Sequence, residues 1–277
     1  MMRKLDKNSI RTLIPKRSID ANKGTFGKVL VIGGSKNYPG AAYFVCAAAY
    51  RVGAGLVTLA TEDIVKIIVS KKLPEVTFLS SNEVFEKIDN YDVLCVGPGL
   101  GTNTAAAKLV KQLLIKKLPP KVIDGDGLNL LSKMEVWWEK LDGEVVLTPH
   151  PGEFSRLTGL SIERIQSDRE NVALQFAKKW GKTVVLKGAN TIVAFPGGGV
   201  VISPFANPLL ATAGTGDILA GVISGFLAQG LNSFEAAICA TYIHGLAGEK
   251  LKVLFGKAGA LASDLLPLLP QIIKELV

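Results

Sequence analysis

Histidine and cysteine are scarce in this chain: 277 residues hold 2 His and 3 Cys. Cys46, Cys95 and Cys239 lie far apart in apolar stretches, none at ligand spacing from a second Cys or a His. Zinc ribbons and disulfide scaffolds are therefore excluded, and the three read as core residues in a reducing compartment. Neither His pairs with a Ser or Cys in a triad-like order. Aromatic residues make up 7% and do not alternate with cations, and no basic run reaches five residues. An RNA-stacking face and a basic recognition helix both need what is missing here, so no nucleic-acid partner is expected. No G-x-x-x-x-G-K-[ST] occurs, which removes the Walker-type phosphate loop. The opening MMRKLDKNSIRTLIPKR lacks an apolar h-region and a small-residue cleavage site, so a cytoplasmic location is expected.

What the chain does have is apolar bulk. It is 48% hydrophobic and 20% charged, enough to bury a large core. Its formal charge of +8 raises nucleic acid, anionic membranes and phosphorylated small molecules as partners. The lysines, however, fall as scattered pairs (Lys71-Lys72, Lys116-Lys117, Lys178-Lys179) at the ends of apolar segments, where they suit helix C-termini. The run Leu209 to Gly230 is apolar, about span length and carries Gly221-x-x-x-Gly225, but Asp217 in its middle argues against insertion. A buried helix entered through a glycine-rich loop explains the same residues, and no membrane partner is expected.

Short β-branched runs alternate with longer helix-period segments, the pattern of βα units and a mainly parallel sheet. Strands are predicted at Lys28 to Ile32, Leu56 to Ala60, Val76 to Leu79, Val93 to Val96, Lys121 to Ile123, Val145 to Leu147 and Thr183 to Leu186. Thr191 to Phe195 and Val200 to Ser203 should be antiparallel, because GAN and PGGG are too short for crossovers. Helices are predicted at Ala41 to Val52, Asp63 to Ser70, Asn103 to Lys116, Ile162 to Lys179, Thr215 to Ala228, Ser233 to Lys252 and Ala260 to Leu276. Nothing linker-like interrupts the pattern, so one α/β domain over 1–277 is the simpler expectation.

The 29 glycines concentrate just after predicted strands, at the carboxyl edge where open α/β sheets bind ligands. Gly33-Gly34-Ser35 and Gly97-Pro98-Gly99-Leu100-Gly101 could each present N–H groups to an anion at a helix N-terminus. The second imitates a dinucleotide fingerprint, although Pro98 removes a donor and the last spacing is short. A plain turn before a helix accounts for it equally. The strongest signal is Ala213-Gly214-Thr215-Gly216-Asp217, which enters a long apolar helix. Several orphan N–H groups and the positive dipole end converge there beside a carboxylate. An ordinary capping acid gives the same Asp217, but so many glycines at a helix entrance are costly unless a ligand approaches the backbone. Such a pairing suggests phosphoryl transfer with Mg²⁺: Asp217 would take a hydroxyl proton while the Gly214 to Gly216 amides hold the phosphoryl charge. In Thr148-Pro149-His150-Pro151-Gly152-Glu153, a proline-bracketed loop could aim His150 at a ligand and Glu153 at a metal-bound water, or could simply start a helix. Lys187-Gly188-Ala189-Asn190-Thr191 is either a hairpin turn or a clasp for a nucleotide. His244, among apolar residues in a helix, reads as structural.

Taken in order, KGTFG at 23–27, PGAA at 39–42, RVGAGLV at 51–57, GPGLG at 97–101, DGDGLN at 124–129, TPHPGE at 148–153, LKGANT at 186–191 and the stretch Asn207 to Asp217 resemble the ADP/ATP-dependent NAD(P)H-hydrate dehydratases. The resemblance implies a ribokinase-like α/β fold, with a mainly parallel central sheet flanked by helices on both faces and a short antiparallel extension. It also implies a repair lyase that restores NADH or NADPH from the S form of its hydrate at the expense of ADP or ATP, through a phosphorylated intermediate. Asp217 would be the base that also meets the substrate, and Gly214, Thr215 and Gly216 the anion hole. Lys187, Gly188, Ala189, Asn190 and Thr191 would bind the nucleotide together with Gly216. Ala42, Gly99, Gly101 and His150 would contact the hydrated dinucleotide, and Glu153 would support the metal, with His150 where related kinases carry an Asn. A homotetramer and an epimerase on a separate polypeptide are further expectations. A ribokinase-like kinase for vitamin precursors is the alternative, since it would keep the same helix entrance.

Overall fold

In the computed structural model, residues 2–114 and 118–277 are described. Among them ten strands form one sheet: β1 (Met2–Lys4), β2 (Lys28–Ile32), β3 (Leu56–Ala60), β4 (Thr77–Leu79), β5 (Val93–Val96), β6 (Lys121–Ile123), β7 (Val145–Leu147), β8 (Thr183–Leu186), β9 (Ile192–Ala194) and β10 (Val200–Ile202). Their order is β1-β10-β9-β8-β7-β6-β5-β2-β3-β4. From β4 to β8 every pairing is parallel. Among the described strands only β9 runs against the rest, pairing antiparallel with both β8 and β10. The antiparallel extension is thus a single reversed strand, and the terminal β1 closes the edge parallel to β10. Strand order reverses between β2 and β5, which makes the carboxyl end of that pair the crevice where open α/β sheets receive ligands.

Both faces of the sheet are covered, so the central strands read as nearly continuous apolar runs rather than alternating ones. Their side chains still sort by parity: Val29, Val31, Val93 and Cys95 join one core with the helices Pro39–Arg51, Thr215–Ala228, Ser233–Phe255 and Leu268–Leu276. Leu30, Ile32, Leu94 and Val96 join the other, with the helices Thr104–Leu113, Asp126–Leu131, Pro151–Thr158 and Arg169–Trp180. Cys46, Cys95 and Cys239 are buried thiols in the first core, as expected.

Two long helices expected from periodicity are broken. Ile162 to Lys179 is two helices, Ile162–Ser167 and Arg169–Trp180, parted at Asp168 with φ −154°. The Asp168 carboxylate accepts a bond from the Asn171 side-chain amide at 2.9 Å, and the second helix starts from Asp168 without a side-chain cap. Ala260 to Leu276 divides into Ala262–Leu265 and Leu268–Leu276 around Pro267, which has no N–H to continue the ladder. The helix expected from Asn103 runs Thr104–Leu113, and its predicted end at Lys116 lies outside the described residues. Strand β1 and the helix Lys7–Leu13 have no counterpart in the periodicity reading, being too short to declare a period.

The Gly221-x-x-x-Gly225 pattern is a packing device. A Cβ at Gly221 would stand 2.4 Å from the Val45 carbonyl oxygen, and one at Gly225 would stand 2.5 Å from Val52 Cγ2, so the helix Thr215–Ala228 lies directly against Pro39–Arg51. Among the described residues no helix is long and apolar enough to cross a membrane. Gly221→Val should therefore cost roughly 1–3 kcal/mol, because a backbone carbonyl cannot move aside as a side chain would. Thermal unfolding should show a midpoint lowered by several degrees; an unchanged midpoint would mean that the helix pair can separate freely.

Candidate active site

Three adjacent parallel strands bring three polar side chains together at their carboxyl ends, with β8 running two residues past the end of β7. Asp124 follows β6, Thr148 follows β7 and Lys187 follows β8. Asp124 is 2% exposed, and its Oδ1 accepts from Thr148 Oγ1 at 2.7 Å and from Lys187 Nζ at 2.6 Å. Glu153, in the first turn of Pro151–Thr158, brings Oε2 to 3.8 Å from the same ammonium. Burial works against the Lys187 charge, but Asp124 and Glu153 outweigh it and hold its pKa above the usual value. The carboxylates themselves are less easily ionised. Burial, reinforced by Asp124, pushes Asp217 up to about 7 despite the opposing Lys187. Burial likewise raises Glu153 to about 7, with Lys187 opposing.

Asp217 reaches this cluster from the first turn of Thr215–Ala228. The turn before it is made by Gly214 at φ +94°, which caps the helix without a side-chain bond. A side chain at Gly214 would meet the Phe44 ring at 2.7 Å, so only Gly serves there. Thr215 is spent on the turn: its hydroxyl donates to the carbonyls of Leu210 at 2.7 Å and Thr212 at 2.9 Å, and its N–H to Thr212 at 3.3 Å. The N–H groups of Gly216 and Asp217 remain as first-turn donors without an intrahelical acceptor. A Cβ at Gly216 would lie 3.3 Å from Lys187 Nζ, so ammonium, amides and carboxylates share one corner.

The Lys187–Thr191 segment is the β8 to β9 hairpin. Thr191 Oγ1 donates to the Gly188 carbonyl at 3.0 Å, and Asn190, at φ +53°, donates from Nδ2 to the Ser203 carbonyl at 3.0 Å. Arg169 clamps the hairpin from outside, donating to the carbonyls of Leu186 at 3.1 Å, Lys187 at 3.3 Å and Ala189. Between the hairpin, Phe205, Gly216 and the Thr241 and His244 side chains lies a cavity of about 160 Å³. It places all five hairpin residues but Asn190 beside Thr215 and Gly216.

The glycine loops at the β2 and β5 ends do something else. Gly34 N–H donates to the Pro98 carbonyl at 2.8 Å, and a Cβ at Gly33 would stand 2.5 Å from that oxygen. A Cβ at Gly97 would stand 2.1 Å from the Asp124 carbonyl oxygen and 2.5 Å from the Gly127 nitrogen, so no side chain fits there. The helix after Gly101 is capped by Asn103, whose Oδ1 accepts from Ala106 N–H at 2.9 Å. Gly33, Gly34 and Gly97 thus lock loops together, and a close-packed turn accounts for the glycine at the start of the fingerprint-like run. Gly101 faces open space and borders, with Tyr38, Glu62 and Asp126, a polar cavity of about 490 Å³. Its N–H donates to Asp126 Oδ2 at 2.8 Å. Gly99 is backed by Tyr38 and Ala41, and Ala42 is fully buried beneath Gly34 rather than open to the cleft. His150 caps its helix, accepting at Nδ1 from Gly152 and Glu153 N–H at 3.0 and 3.3 Å, so Nε2 carries the proton and faces Glu153 Oε1 at 3.4 Å.

Asp124, Thr148 and Arg169 have no role in the sequence reading. Asp124 ends a predicted strand at the glycine-rich edge, and that position is the signal that could have found it; Arg169 sits mid-segment in a predicted helix and carries none. Among the described residues no three His, Cys, Asp or Glu side chains stand close enough to bind a metal unaided. Yet Asp124, Glu153 and Asp217 outnumber Lys187, an excess of buried negative charge that suits a cation arriving with phosphates.

The fold and this corner define a ribokinase-like protein. Ribokinase from Thermotoga maritima superposes with a TM-score of 0.58 over 90% of this chain and 99% of that one, at 14% identity, a likeness of fold alone. The particular kinship is narrower: residues 29–271 match the NAD(P)H-hydrate dehydratase family model, and the chain belongs to that family. The ADP-dependent (S)-NAD(P)H-hydrate dehydratase of Neisseria meningitidis is 37% identical over 91% of this chain and 86% of its own. A bifunctional NAD(P)H-hydrate repair enzyme of Moorella thermoacetica is 39% identical over 96% of this chain, which spans 53% of that protein, about half. The ADP/ATP-dependent NAD(P)H-hydrate dehydratase of Bacillus subtilis, co-crystallised with ATP/Mg²⁺, superposes with a TM-score of 0.89 over 98% of both chains at 32% identity.

Raised carboxyl pKa values carry a stability cost. A group whose folded pKa lies above its unfolded one favours the fold at low pH and loses that contribution as pH rises through the folded value. For Asp217 and Glu153 the window runs from about 4 to about 7. Asp217→Asn and Glu153→Gln should each raise the unfolding midpoint at pH 8 by roughly a few degrees and do little at pH 4. Equal midpoints at pH 8 would mean the carboxylates are adequately solvated.

Proposed function

We propose that this chain is an NAD(P)H-hydrate dehydratase that consumes ADP or ATP, working as one domain over 1–277. The observation that carries the reading is Asp217: a carboxylate with its pKa near 7, in the first turn of a glycine-entered helix, beside the Lys187, Asp124 and Glu153 cluster. The family membership and the activities for which the Neisseria and Bacillus relatives are named support the substrate.

In this reading the nucleotide lies along the Lys187–Thr191 hairpin with its terminal phosphoryl group at the Gly216 and Asp217 amides. The hydrated dinucleotide enters over Gly99, Gly101 and His150. Asp217 accepts the proton of the hydroxyl on the hydrated nicotinamide ring as that oxygen takes the phosphoryl group. The phosphorylated hydroxyl then leaves as phosphate, pushed by the ring nitrogen's lone pair, and the adjacent carbon loses a proton to give the reduced ring. Because the phosphoryl transition state is loose, positioning and electrostatics do most of the work, and a weakly basic carboxylate suffices. Lys187 holds Asp124 in place and keeps an ionised Asp217 tolerable in a buried corner. Mg²⁺ bound with the phosphates would be faced by Asp124 and Glu153, largely through water, and would neutralise phosphoryl charge.

Purified protein incubated with hydrated NADPH, Mg²⁺ and ADP or ATP should return reduced-nicotinamide absorbance with one free phosphate per turnover. A stable phosphorylated product without elimination would instead make it a kinase. Asp217→Asn should lower kcat by about 10²–10⁴-fold. Since Asp217 works only when ionised, wild-type kcat/KM should fall as pH drops through about 7. Activity flat from pH 5 to 8 would remove Asp217 from the base role.

A further inference from the structure

His244 projects from the helix Ser233–Phe255 into the back of the nucleotide corner, and the reaction outlined above leaves it unused. Its Nε2 lies 2.9 Å from the Thr215 carbonyl oxygen, and both residues are buried. A carbonyl oxygen only accepts, so Nε2 carries the proton and donates. Burial drives the His244 pKa down to about 4, so the ring is a neutral donor wherever the enzyme works.

That carbonyl belongs to the same planar peptide unit as the Gly216 N–H. In a trans peptide the two bonds point in opposite directions, so fixing the oxygen fixes the direction of the N–H. The unit joins Thr215 to Gly216, the most freely rotating residue type, at a helix end with no side-chain cap. Beside the Leu219 N–H that the helix ladder offers the same carbonyl, His244 is a second donor that fixes its direction from outside the helix. Thr215 ties the turn behind it through its hydroxyl, which does not set the peptide plane ahead. We propose that His244 is a positioning residue of the phosphoryl-transfer step, holding the Thr215–Gly216 peptide so that the Gly216 N–H faces the phosphate. The same bond polarises the peptide and strengthens the N–H as a donor. The anion hole is thus built from two helices: one supplies the amide and the other aims it. This inference rests on the dehydratase reading for its kinetic consequence but not for its geometry.

The test compares His244→Ala, His244→Gln, whose amide nitrogen can reach the Nε2 position, and His244→Asn, which is too short. Turnover of hydrated NADPH with ADP is measured well below each variant's unfolding midpoint. We expect His244→Ala to lower kcat by about 10–100-fold with KM for the hydrate nearly unchanged, part of the loss seen when an oxyanion donor is removed outright. His244→Gln should recover most of kcat and His244→Asn should not. Should the Ala variant fail to fold, the Gln and Asn pair decides: equal kcat in the two overturns the proposal and leaves His244 a packing residue. Carbonyl-¹³C threonine with ¹⁵N glycine isolates two Thr-Gly pairs, so the Gly216 amide can be followed beside Gly159 as an internal control. On titration with ADP it should shift in wild type and His244→Gln and stay still in His244→Asn. If wild type shows that shift but no turnover of the hydrate, the dehydratase reading fails and the positioning role stands. No Gly216 shift in wild type overturns the positioning role whatever the activity.

Discussion

Lys187 puts its ammonium 2.6 Å from Asp124 and 3.8 Å from Glu153, with Asp217 near enough to feel it. Three carboxylates cannot be gathered at a poorly solvated sheet edge without a cation among them, and one cation is too few to satisfy all three. Asp124 takes the direct bond. Glu153 and Asp217 are left with affinity for protons near neutrality, the condition a general base needs at physiological pH. The same imbalance leaves an excess of carboxylate over ammonium that a further cation could offset. A fully compensated cluster would be more stable and chemically inert.

The sheet makes that imbalance possible. Adjacent parallel strands carry Asp124 and Thr148 to the same height, Lys187 reaches back to them from the longer β8, and the two cores hold them there from either side. Glycine serves this frame in two ways. At Gly33, Gly97, Gly221 and Gly225 its missing side chain lets backbone meet backbone or neighbouring side chains closely. At Gly214 its positive φ turns the chain into the helix that presents Asp217. The formal charge of +8 has little part in this: the cation at the cluster is the part-buried Lys187, while most other lysines are exposed on the surface.

Much of this was legible in the sequence. Every interior strand appeared as a largely apolar run rich in β-branched residues, since a strand covered on both faces is mostly apolar, and the motifs from Lys23 to Asp217 indicated the family. The hairpin and the Gly214–Asp217 entrance were found because turn chemistry is local. Glycine-rich loops that bind and glycine-rich loops that pack look alike in a sequence, so the close approach of Gly33, Gly34 and Gly97 to neighbouring backbone was not legible there. Arg169 was invisible because its three carbonyl partners lie 17 to 20 residues away across a hairpin.

By itself, the sequence determined the alternation of strand and helix, the apolar cores and the residues that punctuate them, all set by neighbours along the chain. Only the tertiary structure decided which polar groups share a charge environment. Asp124, Glu153, Lys187 and Asp217 are ordinary surface-type residues until β6, β7, β8 and the helix Thr215–Ala228 converge. His244 reads as a core histidine until Thr215 is placed 2.9 Å from it. Pair distance and burial set both pKa and hydrogen-bond direction, and neither quantity exists before the chain has folded.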